Sequence, residues 1–180
     1  MELVFGAVIL VLAAAIVLLF AMLGELNSRL PTDQGAAQRS SDVFPLEDAA
    51  LGVQPATWPA ELPPIDSADP RTVLVLSTAC STCQDVAQQL DGELSRGEGK
   101  DLSVVLSTGD RERADDFVQR YGLDRLPVYV DEGGDWVGEE LGVRMSPTAL
   151  VMSSGRLESA LIFQDVSALR AAVAQPKGVS

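Results

Sequence analysis

Residues 71–96 read RTVLVLSTACSTCQDVAQQLDGELSR and carry the clearest structural pattern of this chain. The run Thr72–Thr78 is short, apolar and rich in β-branched residues, which predicts a buried strand. From Cys80 to about Arg96, apolar residues recur every three to four positions, which predicts an amphipathic helix. The chain is therefore expected to turn from a strand into a helix at its first cysteine.

Both cysteines lie in the sequence Cys80-Ser81-Thr82-Cys83, at the predicted start of this helix. Unpaired N–H groups and the positive end of the helix dipole favour a thiolate there. The spacing lets the second sulfur close a disulfide over one helical turn, so Cys80 is the expected nucleophile and Cys83 the resolving thiol. The hydroxyls of Ser81 and Thr82 can hydrogen-bond a thiolate and are the expected substrate contacts on this side. The alternatives are two small buried residues or half of a metal site, and the position between strand and helix favours a redox pair.

The rest of the domain alternates strands and helices. The first half predicts parallel strands with helical crossovers, whereas the last two strands are too close for a crossover and predict an antiparallel hairpin around Ser154-Gly155-Arg156. The expected order is β-α-β-α-β-(α)-β-β-α, and the elements after the first helix are expected at 102–108, 110–121, 126–131, 135–142, 148–153, 157–163 and 166–174.

A second motif, GVRMSPTAL at residues 142–150, precedes the fourth of these strands. With the cysteine motif, it resembles the thioredoxin-like superfamily, which places a cis-proline here against its two cysteines. The resemblance covers roughly residues 71–174 and implies an α/β fold with a central mixed sheet flanked by helices. It implies that Pro147 is the cis-proline and that Pro147 and Ser146 present backbone groups to a substrate chain, with Met145 lining the same groove.

Within the superfamily, the N-terminal segments and residues 127–156 look most like membrane-tethered thiol–disulfide oxidoreductases that work outside the cytoplasm. These include the cytochrome c maturation reductases and the MauD-like maturation proteins of methylamine dehydrogenase systems. The sequence departs from these relatives beside the cysteines. Thioredoxin's buried acid is replaced by Leu74, and the glutamate common in cytochrome c maturation reductases is replaced by Val86. Both carboxylates that assist the second thiol in the family are therefore missing.

The N-terminal region is expected to be an anchor followed by a tether. Residues 1–24 contain an apolar run long enough to span a bilayer, and a cleaved signal peptide is the alternative. Residues 25–70 are rich in proline and predict a linker, in which Trp58, Leu62 and Ile65 form either a lead-in on the domain surface or part of a loose spacer. The domain is expected at 71–176, with a short tail at 177–180.

Composition excludes several functions. The chain has 180 residues, 13 Lys and Arg, 26 Asp and Glu, and no His, and its formal charge is −13. Nucleic-acid binding is disfavoured because it needs a basic surface. A His-based catalytic triad is impossible, and two cysteines cannot fill a tetrahedral zinc site. The expected site contains no metal and no cofactor beyond a redox-active Cys80–Cys83 disulfide.

Three functions remain open at this point. The favoured one is a single-pass protein of the cell membrane that exchanges thiols and disulfides with a protein substrate outside the cytoplasm and takes electrons from a membrane protein. Arg29 and Arg39, which follow the apolar run, weakly favour the opposite orientation. The second is a non-enzymatic thioredoxin-like subunit that docks to a membrane complex. The third is a Cu(I) chaperone that uses both thiols.

Overall fold

The structure, a computed structural model, describes residues 43–66, 69–99 and 101–174 of the chain. In chain order its elements are β1 Phe44–Pro45, β2 Arg71–Ser77, α1 Ser81–Ser95, β3 Leu102–Thr108, α2 Arg111–Arg120, a 3-10 turn Leu123–Arg125, β4 Val128–Glu132, α3 Asp135–Leu141, β5 Thr148–Ser153, β6 Arg156–Ile162 and α4 Val166–Ala174. The six strands form one sheet in the order β1-β6-β5-β2-β3-β4.

The sheet has the predicted mixture of strand directions. Strands β2, β3 and β4 are parallel, with Val75 opposite Val105 and Val105 opposite Tyr129. Strand β5 runs antiparallel to β2, and β6 runs antiparallel to β5. A parallel β-α-β half and an antiparallel β-β-α half thus share one sheet. This confirms the expected α/β fold with a central mixed sheet for the described part of the chain.

Alternate residues of β2 feed two separate hydrophobic cores. Leu74 and Leu76 face the core that contains α1, α2 and α4, and Cys83 belongs to this core. Val73 and Val75 face the other core, on the side of α3. Because side chains of a strand alternate between its two faces, both faces of a central strand are buried when helices or loops cover both. This explains why β2 is apolar at every position from Val73 to Leu76.

Residues 43–66 pack against the second core, although the sequence places them in a linker at 25–70. Leu46, Leu62 and Ile65 are buried there. The segment, which we call the strap, is attached by backbone hydrogen bonds: Leu46 N–H donates to the Ala160 carbonyl at 2.8 Å and Gly52 N–H to the Leu157 carbonyl at 2.7 Å. The predicted boundary at residue 70 is therefore too late, since the globular unit already includes residue 43. The apolar residues of the strap have no regular spacing, because an irregular segment buries whichever side chains meet the sheet.

Further contacts attach the strap to α3. Trp58 packs edge to face against Trp136, with ring centroids 5.6 Å apart. The Trp136 indole N–H donates to the Thr57 carbonyl at 3.1 Å, and the Thr57 hydroxyl donates to Glu140 at 2.9 Å. The strap therefore holds α3 as well as covering the sheet.

The predicted anchor at 1–24, the first part of the predicted linker and the tail at 177–180 lie outside the described residues. Within 43–66, 69–99 and 101–174, no helix has the length and hydropathy that a membrane span needs.

Candidate redox site

Cys80 lies at the end of the turn that joins β2 to α1. After β2 ends at Ser77, the chain makes a tight turn in which the Cys80 N–H donates to the Ser77 carbonyl at 3.2 Å. Cys80 is the N-cap of α1, and its Sγ accepts a hydrogen bond from the Cys83 N–H at 3.1 Å. A sulfur in this position stands in for the oxygen that usually caps a helix.

The loop before β5 forms the opposite side of the site. The Ser146–Pro147 peptide is cis, as predicted. The carbonyl of Ser146 accepts a hydrogen bond from the Cys80 thiol at 3.6 Å, so residues 66 positions apart in the chain meet here. The Thr148 hydroxyl donates to the Met145 carbonyl at 2.8 Å, which holds the loop against the start of β5.

The two cysteines have different access to solvent. Cys80 is partly exposed, whereas Cys83 is completely buried, and both are free thiols in the structure. Burial raises the pKa of the Cys83 thiol well above its ordinary value, and its hydrogen bond with Cys80 raises it further. Only the reactive sulfur of Cys80 is therefore within reach of a partner protein.

The surroundings of Cys83 explain why no acid assists it. Leu74 and Val86, which stand where the proteins that the sequence resembles carry a carboxylate, are both fully buried in the same apolar core as Cys83. Burial among apolar side chains makes a Cys83 thiolate costly, so the proton stays on Cys83.

The remaining predicted contact residues differ in their exposure to solvent. Ser81 is exposed, Thr82 and Ser146 are half-buried, and Pro147 is buried at the base of the loop. Among the described residues, no hydrogen bond joins the hydroxyl of Ser81 or of Thr82 to the Cys80 sulfur. Their role as substrate contacts therefore stays a prediction.

A cavity beside the site is absent from the sequence-based predictions. Its volume is about 430 Å³, and it lies on the α3 side of the sheet at the carboxyl ends of β2 and β3. Ser77 and Ser146, which flank Cys80, also line this cavity. The one signal in the sequence that could have indicated it is the pair Gly133-Gly134, since both glycines have positive φ and turn the chain sharply from β4 into α3.

The part of the chain that the structure describes contains no group of three or more His, Cys, Asp or Glu side chains that could hold a metal ion. The two thiols offer a soft metal at most two ligands, and one of them is buried and protonated.

No protein-family model and no curated protein sequence matches this chain. Several solved structures match this chain. A secreted Mycobacterium tuberculosis disulfide oxidoreductase described as homologous to E. coli DsbE is 15% identical, with a TM-score of 0.45, and the match covers 60% of this chain and 84% of that one. StoA from Bacillus subtilis is 14% identical with a TM-score of 0.43, over 58% of this chain and 81% of that one. A thioredoxin-like protein from Parabacteroides distasonis is 13% identical with a TM-score of 0.49, over 69% and 97%. Similarity at this level carries no inference about activity or substrate.

Proposed function

We propose that this protein is a thiol–disulfide oxidoreductase that acts on protein thiols or disulfides through Cys80 and Cys83. The observation that carries the proposal is the arrangement of one accessible and one buried thiol around the first turn of α1. Cys80 Sγ lies 3.1 Å from the Cys83 N–H and 3.6 Å from the Ser146 carbonyl, at the surface of the domain. An accessible sulfur with a second thiol one helical turn away is what two-step disulfide exchange needs.

The exchange begins with the Cys80 thiolate attacking one sulfur of a partner disulfide. A bond forms between Cys80 and that sulfur, and the partner's other sulfur leaves as a thiolate. Cys83 then loses its proton to this thiolate or to water and attacks the Cys80 sulfur. The partner leaves with both of its sulfurs reduced, the Cys80–Cys83 disulfide remains, and two electrons have passed to the partner. The reverse sequence would oxidise a partner dithiol.

The protein is further proposed to work from the cell membrane, with the domain outside the cytoplasm. The apolar run within residues 1–24 and its length support an anchor. The resemblance to tethered maturation proteins of cytochrome c and methylamine dehydrogenase systems supports the compartment, a maturation role and a membrane protein as electron donor. The anchor and its orientation concern residues outside the described part of the chain.

The test is mixed-disulfide trapping in native membranes with the Cys83→Ser variant of the full-length protein. Without the resolving thiol, a partner attacked by Cys80 stays attached to it, and the adduct separates from the free protein on non-reducing but not on reducing gels. Mass spectrometry of the adduct identifies the partner and, from the partner's location, the compartment.

The matched control is the Cys80→Ser/Cys83→Ser double variant, which we expect to form no adduct. If the single variant also forms none while its Cys80 remains open to alkylation, the oxidoreductase proposal is overturned. A double variant that fully complements a deletion would then favour a docking subunit whose cysteines are silent.

A further inference from the structure

We propose that the cavity beside Cys80 receives a lysine or arginine side chain of the partner protein, a few residues from the partner's reactive cysteine. This specificity rests on the proposed function, because it concerns the partner that Cys80 attacks. The cavity would select among partners by charge, in addition to the chemistry of exchange.

Position is the first argument. Ser77 and Ser146 line the cavity, and the same two residues receive hydrogen bonds from the backbone and the thiol of Cys80. A polypeptide whose cysteine is joined to Cys80 therefore passes the mouth of the cavity within a few residues. The volume of about 430 Å³ lies in the range of about 300–1,000 Å³ that is usual for small-ligand sites.

Shape and polarity are the second argument. Val75, Val137 and Val143 form part of the cavity wall, and all three are buried. The rim carries the carboxylates of Asp135 and Glu139, both exposed. Apolar side chains in the wall and carboxylates at the rim match a side chain that has an apolar stem and a charged head, as lysine and arginine do.

Charge is the third argument. Asp135 and Glu139 are four residues apart on α3, so they lie on one face of the helix, and both line the cavity. Neither forms an ion pair with another described residue. Arg144 is the only cation among the lining residues, so the rim keeps a net negative charge. The formal charge of −13 for the whole chain also attracts basic partners.

The experiment measures how fast the reduced full-length protein attacks peptides that carry one cysteine activated as a 2-pyridyl disulfide. The attack releases thiopyridone, which is a neutral leaving group, and the amount released reports the attack. Each peptide has lysine, glutamate or norleucine at one position within three residues of the cysteine. We expect lysine to exceed glutamate about fivefold in second-order rate constant for at least one position, which is the size of a partly exposed ion pair.

The Asp135→Asn/Glu139→Gln variant should lose this preference. For each variant, the rate constants for the lysine and glutamate peptides are compared with the rate constant for the norleucine peptide. The matched control is Asp116→Asn/Glu158→Gln, which removes two exposed carboxylates that do not line the cavity and should keep the preference. Equal rates for lysine and glutamate at every position, a preference for glutamate, or a lysine preference that survives in Asp135→Asn/Glu139→Gln overturns the inference.

Failure of the inference can be separated from failure of the proposed function. The neutral reagent dithiodipyridine should release two equivalents of thiopyridone per reduced protein, because Cys80 attacks first and Cys83 then displaces the second. Cys83→Ser should release one. A wild-type protein that releases only one equivalent has no working exchange pair, and that result contradicts the proposed function rather than the cavity.

Discussion

At the scale of single residues, the thiol of Cys83 governs the second step of exchange. It is fully buried between apolar side chains, and its pKa is raised by that burial and by the hydrogen bond with Cys80. Only the thiolate attacks a disulfide, so at neutral pH few molecules carry the reactive form of Cys83. The mixed disulfide with a partner should consequently be long-lived compared with that of a protein that has a carboxylate beside its second thiol.

Placing a carboxylate beside Cys83 tests this. Val86 lies three residues after Cys83 on α1, is fully buried and belongs to the same core. In Val86→Glu, we expect the mixed disulfide to resolve about tenfold faster or more at pH 7, because the carboxylate can accept the proton of Cys83. The measurement is the decay of a preformed mixed disulfide, followed by acid quenching and mass spectrometry.

Val86→Gln is the matched control, since it buries a polar group of similar size that cannot accept a proton as a carboxylate does. Both variants should lose about 1–3 kcal/mol in free energy of unfolding, because each buries a polar side chain. Equal resolution rates in the two variants would contradict the role assigned to the missing acid.

At the scale of elements, the strap is the least expected part of the domain. It has one two-residue strand, β1, and otherwise no regular structure, yet it supplies Leu46, Leu62 and Ile65 to the second core. It also approaches α3 closely. A Cβ atom on Gly142, just after α3, would lie 3.0 Å from the Asp48 carbonyl oxygen. The strap and the end of α3 therefore fit together as closely as elements of one core.

Two leucines of the strap distinguish a packed segment from a spacer. Leu62 is 4% exposed and Leu51 is 55% exposed. We expect Leu62→Ala to lower the free energy of unfolding by about 2–5 kcal/mol, because it leaves a cavity in the core. Leu51→Ala should stay within about 0.5 kcal/mol of the wild type. Urea unfolding of the full-length protein measures both, and a loose spacer would show no effect in either variant.

At the scale of the whole molecule, Asp165 and Cys83 make stability depend on pH at the acidic and the alkaline end, respectively. The pKa of Asp165 is lowered, first by the hydrogen bond from the Ser167 hydroxyl and then by N–H groups at the start of α4. Its contribution to stability is present above its ordinary pKa of 3.8 and is lost as the pH falls below that value. The raised pKa of Cys83 affects stability at alkaline pH, where stability is lost as the pH rises.

Above pH 9.0, the ordinary pKa of its thiol, Cys83 is protonated in the folded protein but loses its proton in the unfolded chain. The folded state then binds more protons, so its free energy of unfolding falls as the pH rises. We expect the reduced wild type to lose up to about 1.4 kcal/mol more per pH unit than Cys83→Ala in this range. Denaturant unfolding at a series of pH values measures the difference. Parallel curves for the two proteins would show that the thiol ionises equally in both states.

Local patterns were sufficient for most elements of the domain. The spacing of apolar residues predicted β3, β5 and α4 with the bounds that the structure has, because each element buries one regular face or is apolar throughout. The position of Cys80 at the start of α1 also followed from the local pattern, whereas the cis peptide at Pro147 was expected from the resemblance to thioredoxin-like proteins. The bounds of these elements and the place of Cys80 depend on residues within a few positions of one another.

The sequence by itself determined the order of strands and helices, the place of the two cysteines and the proline opposite them. Only the tertiary structure decided that residues 43–66 belong to the domain, that Cys83 is sealed in an apolar core, and that a cavity with Asp135 and Glu139 at its rim adjoins Cys80. The physical reason is the range of the interactions. A helix cap or a strand's alternation is written in neighbouring residues, whereas burial of a thiol or the lining of a cavity depends on segments that meet after folding.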